Sequence, residues 1–275
     1  MNSPKRLPNR QQVENQFDRA ASSYDRVAGL QRRMGETLLE RLRALNIKPE
    51  SPIIDLGCGT GELLRQLHDD GFSKLTGLDL SSQMIAIAKK KSSAANFVRA
   101  DIESIPCRDA SFDVVVSNAA VQWCDPDLAA TEIHRVVKPG GRLLLNSFIA
   151  GTLGQWHQAF EANGFESRVH LLADSERVTS AFADAGFELI EVQQFRETST
   201  FDSIKSMFAS IKQLGATNAM ESRSRPMSRR EYESLKQHFQ VQLDAGKPLG
   251  LDFLWVQIEA KSPTAPRQNS DAKQR

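Results

Sequence analysis

Hydrophobic positions along the chain set out its elements. Residues 1–12 lack apolar periodicity and are expected to be flexible. Across residues 13–45, apolar side chains recur at helical spacing: Val13, Phe17 and Ala20–Ala21, then Leu38, Leu39, Leu42 and Leu45. Gly29 is the expected break in this segment. Short apolar runs then alternate with amphipathic stretches. "PIIDLG", "LTGLDL", "ANFVRAD", "FDVVVSN" and "RLLLNSF" read as strands. Residues 62–70, 83–91 and 128–137 read as helices. Ser81 or Ser82 is the N-cap of the second, and Pro139-Gly140-Gly141 stops the third. The unbroken apolar run in "FDVVVSN" predicts a strand covered on both faces.

Such alternation predicts a doubly wound, mostly parallel α/β sheet. Later, residues 155–162 and 175–185 read as helices with Gly164 and Gly186 as stops, and "FELIEVQQF" reads as a strand. A helical insert at about 202–245, with a polar Arg-rich link, separates it from a last strand, "LDFLWVQIEA". The expected organisation is one domain over 13–261, opened by N-terminal helices and followed by a disordered tail at 262–275.

Composition narrows the partners. The chain is 40% hydrophobic and 25% charged, as soluble globular proteins are. Its net charge of +1 gives no whole-surface attraction to nucleic acid or to an anionic membrane. No apolar run approaches the ~20 residues that span a bilayer, and the N-terminus lacks the apolar core of a secretory signal. Cys58, Cys107 and Cys124 form no C-x-x-C pair, so reduced thiols in a cytoplasmic protein are expected, without a zinc site.

Candidate chemistry begins at "IIDLGCGTG". Gly57, Gly59 and Gly61 follow G-x-G-x-G spacing, unlike the G-x-G-x-x-G of dinucleotide sites. Asp55 is poorly placed for a pyrophosphate and suits a ligand bearing an ammonium and a sulfonium. Asp79, ending the second strand, can accept from a ribose diol. Asp101 can accept from an adenine amine, with Ile102 over the ring. Each acid taken alone serves equally as a helix cap. Met84 either lies near adenine or fills the core.

In this order the set resembles the class I S-adenosylmethionine-dependent methyltransferases, over about residues 50–148 and including "VVKPGGRLLL". The resemblance implies a Rossmann-like fold and S-adenosyl-L-methionine as cofactor. Asp55, Gly57, Cys58, Gly59 and Gly61 would surround its methionine part. Asp79, with the adjacent Leu80, would hold ribose, and Asp101, Ile102 and Met84 would border adenine. No Asn-Pro-Pro-aromatic motif follows the fourth strand, where nucleic-acid amino-methyltransferases carry one; "SNAAVQWC" stands there instead.

That segment, "FDRAASSYDRVAGLQRRMGETLLERL" and "IKQLGATNAMESRSRPMSRREYESL" resemble the malonyl-[acyl-carrier protein] O-methyltransferases of biotin synthesis, over about residues 12–261. This resemblance implies methylation of the free carboxylate of malonyl-carrier protein, giving the ester that primes pimeloyl formation. A carboxylate is already ionised near neutral pH, so no general base is required. The alternatives are methylation of a free small-molecule acid, and a non-catalytic S-adenosylmethionine-binding protein. Tyr24 either orients the acceptor carboxylate or packs between helices. Gln31 either contacts the methionine carboxylate or lies on a helix surface. Asn118 and Gln122 are candidate donors to the acceptor, and Trp123 is an apolar wall or plain core. Lys205, Lys212, Arg223, Arg225, Arg229, Arg230 and Lys236 outnumber Glu221, Glu231 and Glu233 over residues 203–240. They form either a docking surface for the acidic carrier protein or a solvated helical face. The set lacks the interleaved aromatics of an RNA site.

Overall fold

A seven-stranded sheet organises the protein, seen in a computed structural model that describes residues 9–167, 169–213 and 227–264. Three helices precede it: α1 (Arg10–Ala20), α2 (Tyr24–Val27) and α3 (Gly29–Ala44). The core alternates β1 (Ile53–Leu56), α4 (Glu62–Asp69), β2 (Leu75–Asp79), α5 (Ser82–Lys91), β3 (Asn96–Arg99), β4 (Phe112–Asn118), α6 (Pro126–Val136) and β5 (Val137–Phe148). Then come α7 (Gly154–Ala162), α8 (Ser175–Asp184), β6 (Glu188–Phe201), α9 (Ile204–Gln213), α10 (Arg229–Asp244) and β7 (Leu249–Lys261).

Strand order is β3-β2-β1-β4-β5-β7-β6. The first five strands are parallel, and β7 runs antiparallel between β5 and β6. The order in which strands are added reverses between β1 and β4, which opens a crevice at their carboxyl ends. The valines of β4 explain the two-sided cover. Val115 packs in a core with α6 and α8, whereas Val114 and Val116 pack in the core beneath α3, α4 and α5. A third core joins α7, α9 and α10 to the far parts of β6 and β7, with Trp156 stacked on Phe239 at 6.0 Å.

Several boundaries differ from the sequence reading. Helix α1 begins at Arg10, inside the polar stretch, because the Asn9 side chain accepts from Gln12 N. The break expected at Gly29 lies there, with Ala28 (φ −83°, ψ 36°) between α2 and α3, but a further break after Ala20 separates α1 from α2. Ser81, not Ser82, caps α5 by accepting from Met84 N. Pro139-Gly140-Gly141 does not stop α6, which ends at Val136. Those residues belong to β5, where the pairing with β4 shifts register between Phe112 and Val114. Among the described residues no helix is long and apolar enough to cross a membrane, and no cluster of three or more His, Cys, Asp or Glu is placed to hold a metal.

Candidate active site

The turn after β1 is shaped by backbone that glycine alone tolerates easily. Gly57 N and Cys58 N both donate to Leu78 O, at 2.7 and 2.9 Å, which ties the turn to β2. Gly57 has φ +73°, and a Cβ there would lie 2.2 Å from Ala120 Cβ. Gly59, at φ +52°, is different: the nearest atom to a Cβ would be Tyr24 Cε1 at 4.0 Å. Open space therefore lies above Gly59. Gly61 is the N-cap of α4.

Two buried acids flank this floor. Asp79 accepts from Gly59 N and Ser81 N, both at 2.8 Å. Burial nevertheless raises its carboxyl to about 6. Burial and the Asp79 charge raise the carboxyl of Asp55 to about 8. Neither acid forms an ion pair among the described residues. The Cys58 thiol is pushed up by burial and by the same two carboxylates. The site thus buries two carboxyl groups that no ion pair neutralises, and burial pushes both towards the protonated form.

Three cavities meet here. The first, about 630 Å³, is lined by Tyr24, Gln31, Asp55, Gly59 and Asn118. The second, about 600 Å³, is bordered by Asp79, Leu80, Met84, Asp101 and Ile102. The third, about 620 Å³, is walled by Phe17, Gln122, Trp123, Phe148, His170 and Phe253. Tyr24 borders all three, and Gln31 borders the first and third. Burial, Asp79 and Asp25 raise the Tyr24 hydroxyl well above its ordinary range, so it stays an O–H donor.

The first two helices strap across these cavities through polar ties. Ser81 Oγ and Gln83 N donate to Asp18, and Thr60 Oγ1 donates to Asp25 at 2.6 Å. Lys91 pairs with Asp25 and Arg99 with Glu14. Arg10 pairs with Asp101 at 2.9 Å and with Glu103, and donates to Trp123 O at 2.6 Å.

The structure gives some expected residues other tasks. Asn118 Nδ2 donates to Gln31 O at 2.7 Å, and its Oδ1 accepts from Asn146 Nδ2 at 3.3 Å, so it ties β4 and β5 to α3. Gln122 Nε2 donates to Ala119 O at 2.7 Å; the atom left buried without a partner is Oε1, an acceptor. Gln31 Oε1 is likewise buried and unpartnered. Ala119 (φ 55°) and Leu153 (φ 56°) border the third cavity in left-handed backbone that L side chains disfavour.

Of the basic set, Lys205, Arg229, Arg230 and Lys236 are exposed, and the Arg230 guanidinium lies 5.9 Å over the Phe165 ring. Arg223, Arg225 and the Lys212 side chain lie outside the described residues. Sequence reasoning missed Arg10, Phe17, Thr60, His170 and Phe253. Arg10 sat in a polar stretch, and His170 lies between α7 and α8 where no periodicity marks it.

Residues 54–145 match the methyltransferase domain family. The malonyl-[acyl-carrier protein] O-methyltransferase of Pseudescherichia vulneris is 37% identical over 238 residues, which cover 84% of this chain and 90% of that relative. The protein of the same name from Herminiimonas arsenicoxydans is 33% identical over 254 residues, covering 90% and 95%. Among solved structures, the YcgJ protein from Bacillus subtilis aligns with a TM-score of 0.61 at 17% identity, covering 84% of this chain and 99% of its own. The [4+2]-cyclase SpnF aligns at 0.62 with 20% identity, covering 96% and 100%. Those two establish the fold alone, and a cyclase among them illustrates that this fold does not dictate one reaction. The close relatives do discriminate: with the class I methyltransferase architecture, they establish that the chain belongs to the malonyl-[acyl-carrier protein] O-methyltransferase family.

Proposed function

We propose that the protein methylates the free carboxylate of malonyl-acyl-carrier protein with S-adenosyl-L-methionine, giving the ester that primes pimeloyl formation in biotin synthesis. The observation that carries this reading is the contrast between two cavities that share Tyr24. On one side the carboxylates of Asp55 and Asp79 are buried with neither in an ion pair among the described residues; on the other the lining is aromatic, with no Asp, Glu, Lys or Arg among its described residues.

The first arrangement fits a cationic ligand. Asp55 and the open backbone at Gly59 suit the amino-acid part of the cofactor. Asp79 has lone pairs left for ribose hydroxyls beyond the two backbone N–H groups it accepts. Asp101 can share its carboxylate between Arg10 and an adenine amine, while Leu80, Met84 and Ile102 supply apolar cover. When bound, the cofactor supplies an electrophilic methyl group on a positively charged sulfur.

The acceptor side needs no base, because a carboxylate arrives ionised. Among the described residues that line the third cavity there is no Asp, Glu, Lys or Arg. Tyr24 keeps its hydroxyl proton and donates a hydrogen bond to the acceptor carboxylate. Phe17, Trp123, Phe148 and Phe253 give the cavity an apolar lining. Opposite charges cancel during methyl transfer, so a dry, preorganised cavity favours it, and the residues act mainly by alignment.

The carrier docks, in this reading, on Lys205, Lys212, Arg223, Arg225, Arg229 and Arg230. Arg229 and Arg230 occupy the first turn of α10, where the helix dipole disfavours cations. Exposed there, they suit an acidic partner. The free thiols of Cys58, Cys107 and Cys124 fit a cytoplasmic enzyme.

The test is intact-mass spectrometry of malonyl-carrier protein incubated with the enzyme and S-adenosylmethionine. A methylene gain reversed by mild ester hydrolysis is expected. No gain, with cofactor binding confirmed separately, would overturn the acceptor assignment and turn attention to free acids.

A further inference from the structure

We propose that His170 and Gln122 form a pair of hydrogen-bond acceptors that reads the amide N–H nearest the thioester on the phosphopantetheine arm, leaving the malonyl carboxylate to Tyr24. This rests on the carrier-bound acceptor proposed above.

The pair is fixed from within. Gln122 Nε2 donates to Ala119 O, a carbonyl that only accepts, so the amide cannot be flipped without losing that bond. Its Oε1 is left buried with no protein partner. The backbone carbonyl of the same residue faces His170 Nε2 at 3.3 Å. A carbonyl calls for a donor, so the neutral ring carries its proton on Nε2 and a lone pair on Nδ1. His170 is 7% exposed, and Nδ1 also lacks a partner. Burial keeps the imidazole neutral down to about 4. Stacking on Trp123, with centroids 5.7 Å apart and planes at 17°, sets the ring orientation.

Both residues line the third cavity, whose described residues carry no Asp, Glu, Lys or Arg, and each holds an unsatisfied acceptor buried just behind that wall. Buried acceptors without partners are costly, and a ligand that donates relieves the cost. A carboxylate offers only lone pairs and is repelled. The reacting group therefore belongs beside the Tyr24 hydroxyl. A run of ring contacts from Tyr24 through Phe17 and Trp123 to His170 connects the two ends of the wall. On a malonyl-pantetheine chain, the first donor past the thioester is the amide N–H, beyond a short ethylene spacer.

Two malonyl thioesters isolate this contact: that of N-acetylcysteamine, and that of the ketone in which a methylene replaces the N–H. The wild-type enzyme is expected to prefer the amide by about tenfold in kcat/KM, the worth of a hydrogen bond whose loss strands a buried acceptor. His170→Phe should lower the ratio several-fold, the remainder resting on Gln122 Oε1, with cofactor affinity unchanged, whereas His170→Asn, which keeps an acceptor, should retain most of it. A wild-type ratio below about twofold overturns the proposal whatever the variants do. So does an equal loss on both thioesters in His170→Phe. Malonyl-carrier protein is the reference substrate. If it is not methylated, the proposed function fails and this inference with it; if it is methylated while the two thioesters react equally, only this inference fails.

Discussion

The cofactor-side and acceptor-side cavities share Tyr24 but are built on opposite principles. On the cofactor side, residues 55–102 supply the strand-end acids and the positive-φ glycines almost contiguously, and Asp55 and Asp79 are buried with no ion pair among the described residues. On the acceptor side, the wall is gathered from α1, α2, the turn after β4, the segments around 148–153 and 169–172, and Phe253 of β7. It is neutral and aromatic. A ligand with fixed positive charge demands fixed acids and close backbone approach. An acceptor that brings its own charge to that ligand needs alignment and dryness instead.

The largest effect should come from striking the backbone of the charged half. Gly57→Ala combines φ +73° with a Cβ placed 2.2 Å from Ala120 Cβ. It should cost about 3 kcal/mol or more and remove measurable cofactor binding. Gly71→Ala, at φ +95° with nothing within 4 Å, should cost only about 1–2 kcal/mol and leave binding intact. Denaturant melts and calorimetry on the two variants separate close approach from backbone strain. Normal cofactor binding by Gly57→Ala would break the contrast at its firmest point.

Tyr24→Phe comes next, and it sharpens the boundary. Losing a hydrogen bond to a charged group corresponds to about 10–100-fold in kcat/KM for the acceptor. Cofactor affinity should change by less than about threefold, because the ring remains. If both fall equally, Tyr24 belongs to the charged half.

The buried acid gives a smaller, pH-dependent effect. The Asp55 carboxyl rises from 3.8 to about 8 on folding, so the empty protein prefers it protonated. Its contribution to stability is therefore full below pH 3.8 and is lost as pH rises through about 8. A cationic ligand favours the ionised form, and binding below pH 8 releases a proton. Cofactor affinity should rise by at most about tenfold per pH unit between pH 6 and 8, and Asp55→Asn should flatten the profile. Calorimetry in buffers of different ionisation heat counts the proton directly.

The same division explains what could be read in the sequence. Strand–helix alternation and the valines of β4 revealed the sheet, because period and burial are local properties. Asp55, Asp79 and Asp101 stood out because an acid at a strand end occupies a definite place in such a sheet. Gln122 was visible only as a polar side chain. Which of its side-chain atoms is free depends on the Ala119 carbonyl, which takes the amide's donor. His170 carried no signal at all, since the irregular segment before α8 has no periodicity. Pro139-Gly140-Gly141 misled because that tripeptide usually ends elements, whereas the paired strands accommodate it by a register shift.

The smallest expected effect tests whether the strap joins the two halves. Arg10 lies on α1, which also carries Phe17 into the acceptor cavity, and it grips Asp101, Glu103 and the Trp123 carbonyl. With the Arg10 side chain 30% exposed and Asp101 at 26%, solvent screens the pair. Arg10→Ala should therefore cost about 1 kcal/mol, a fall of about 2–4 °C in Tm. Cofactor affinity should weaken by less than about fivefold, because removing the guanidinium also frees the Asp101 carboxylate for the adenine amine. KM for malonyl-carrier protein should rise by a similar factor, since the loosened α1 positions Phe17 less firmly. A Kd change above tenfold with KM unaltered would make Arg10 part of the charged half alone. A rise in KM without any change in Kd would assign the strap to the acceptor side.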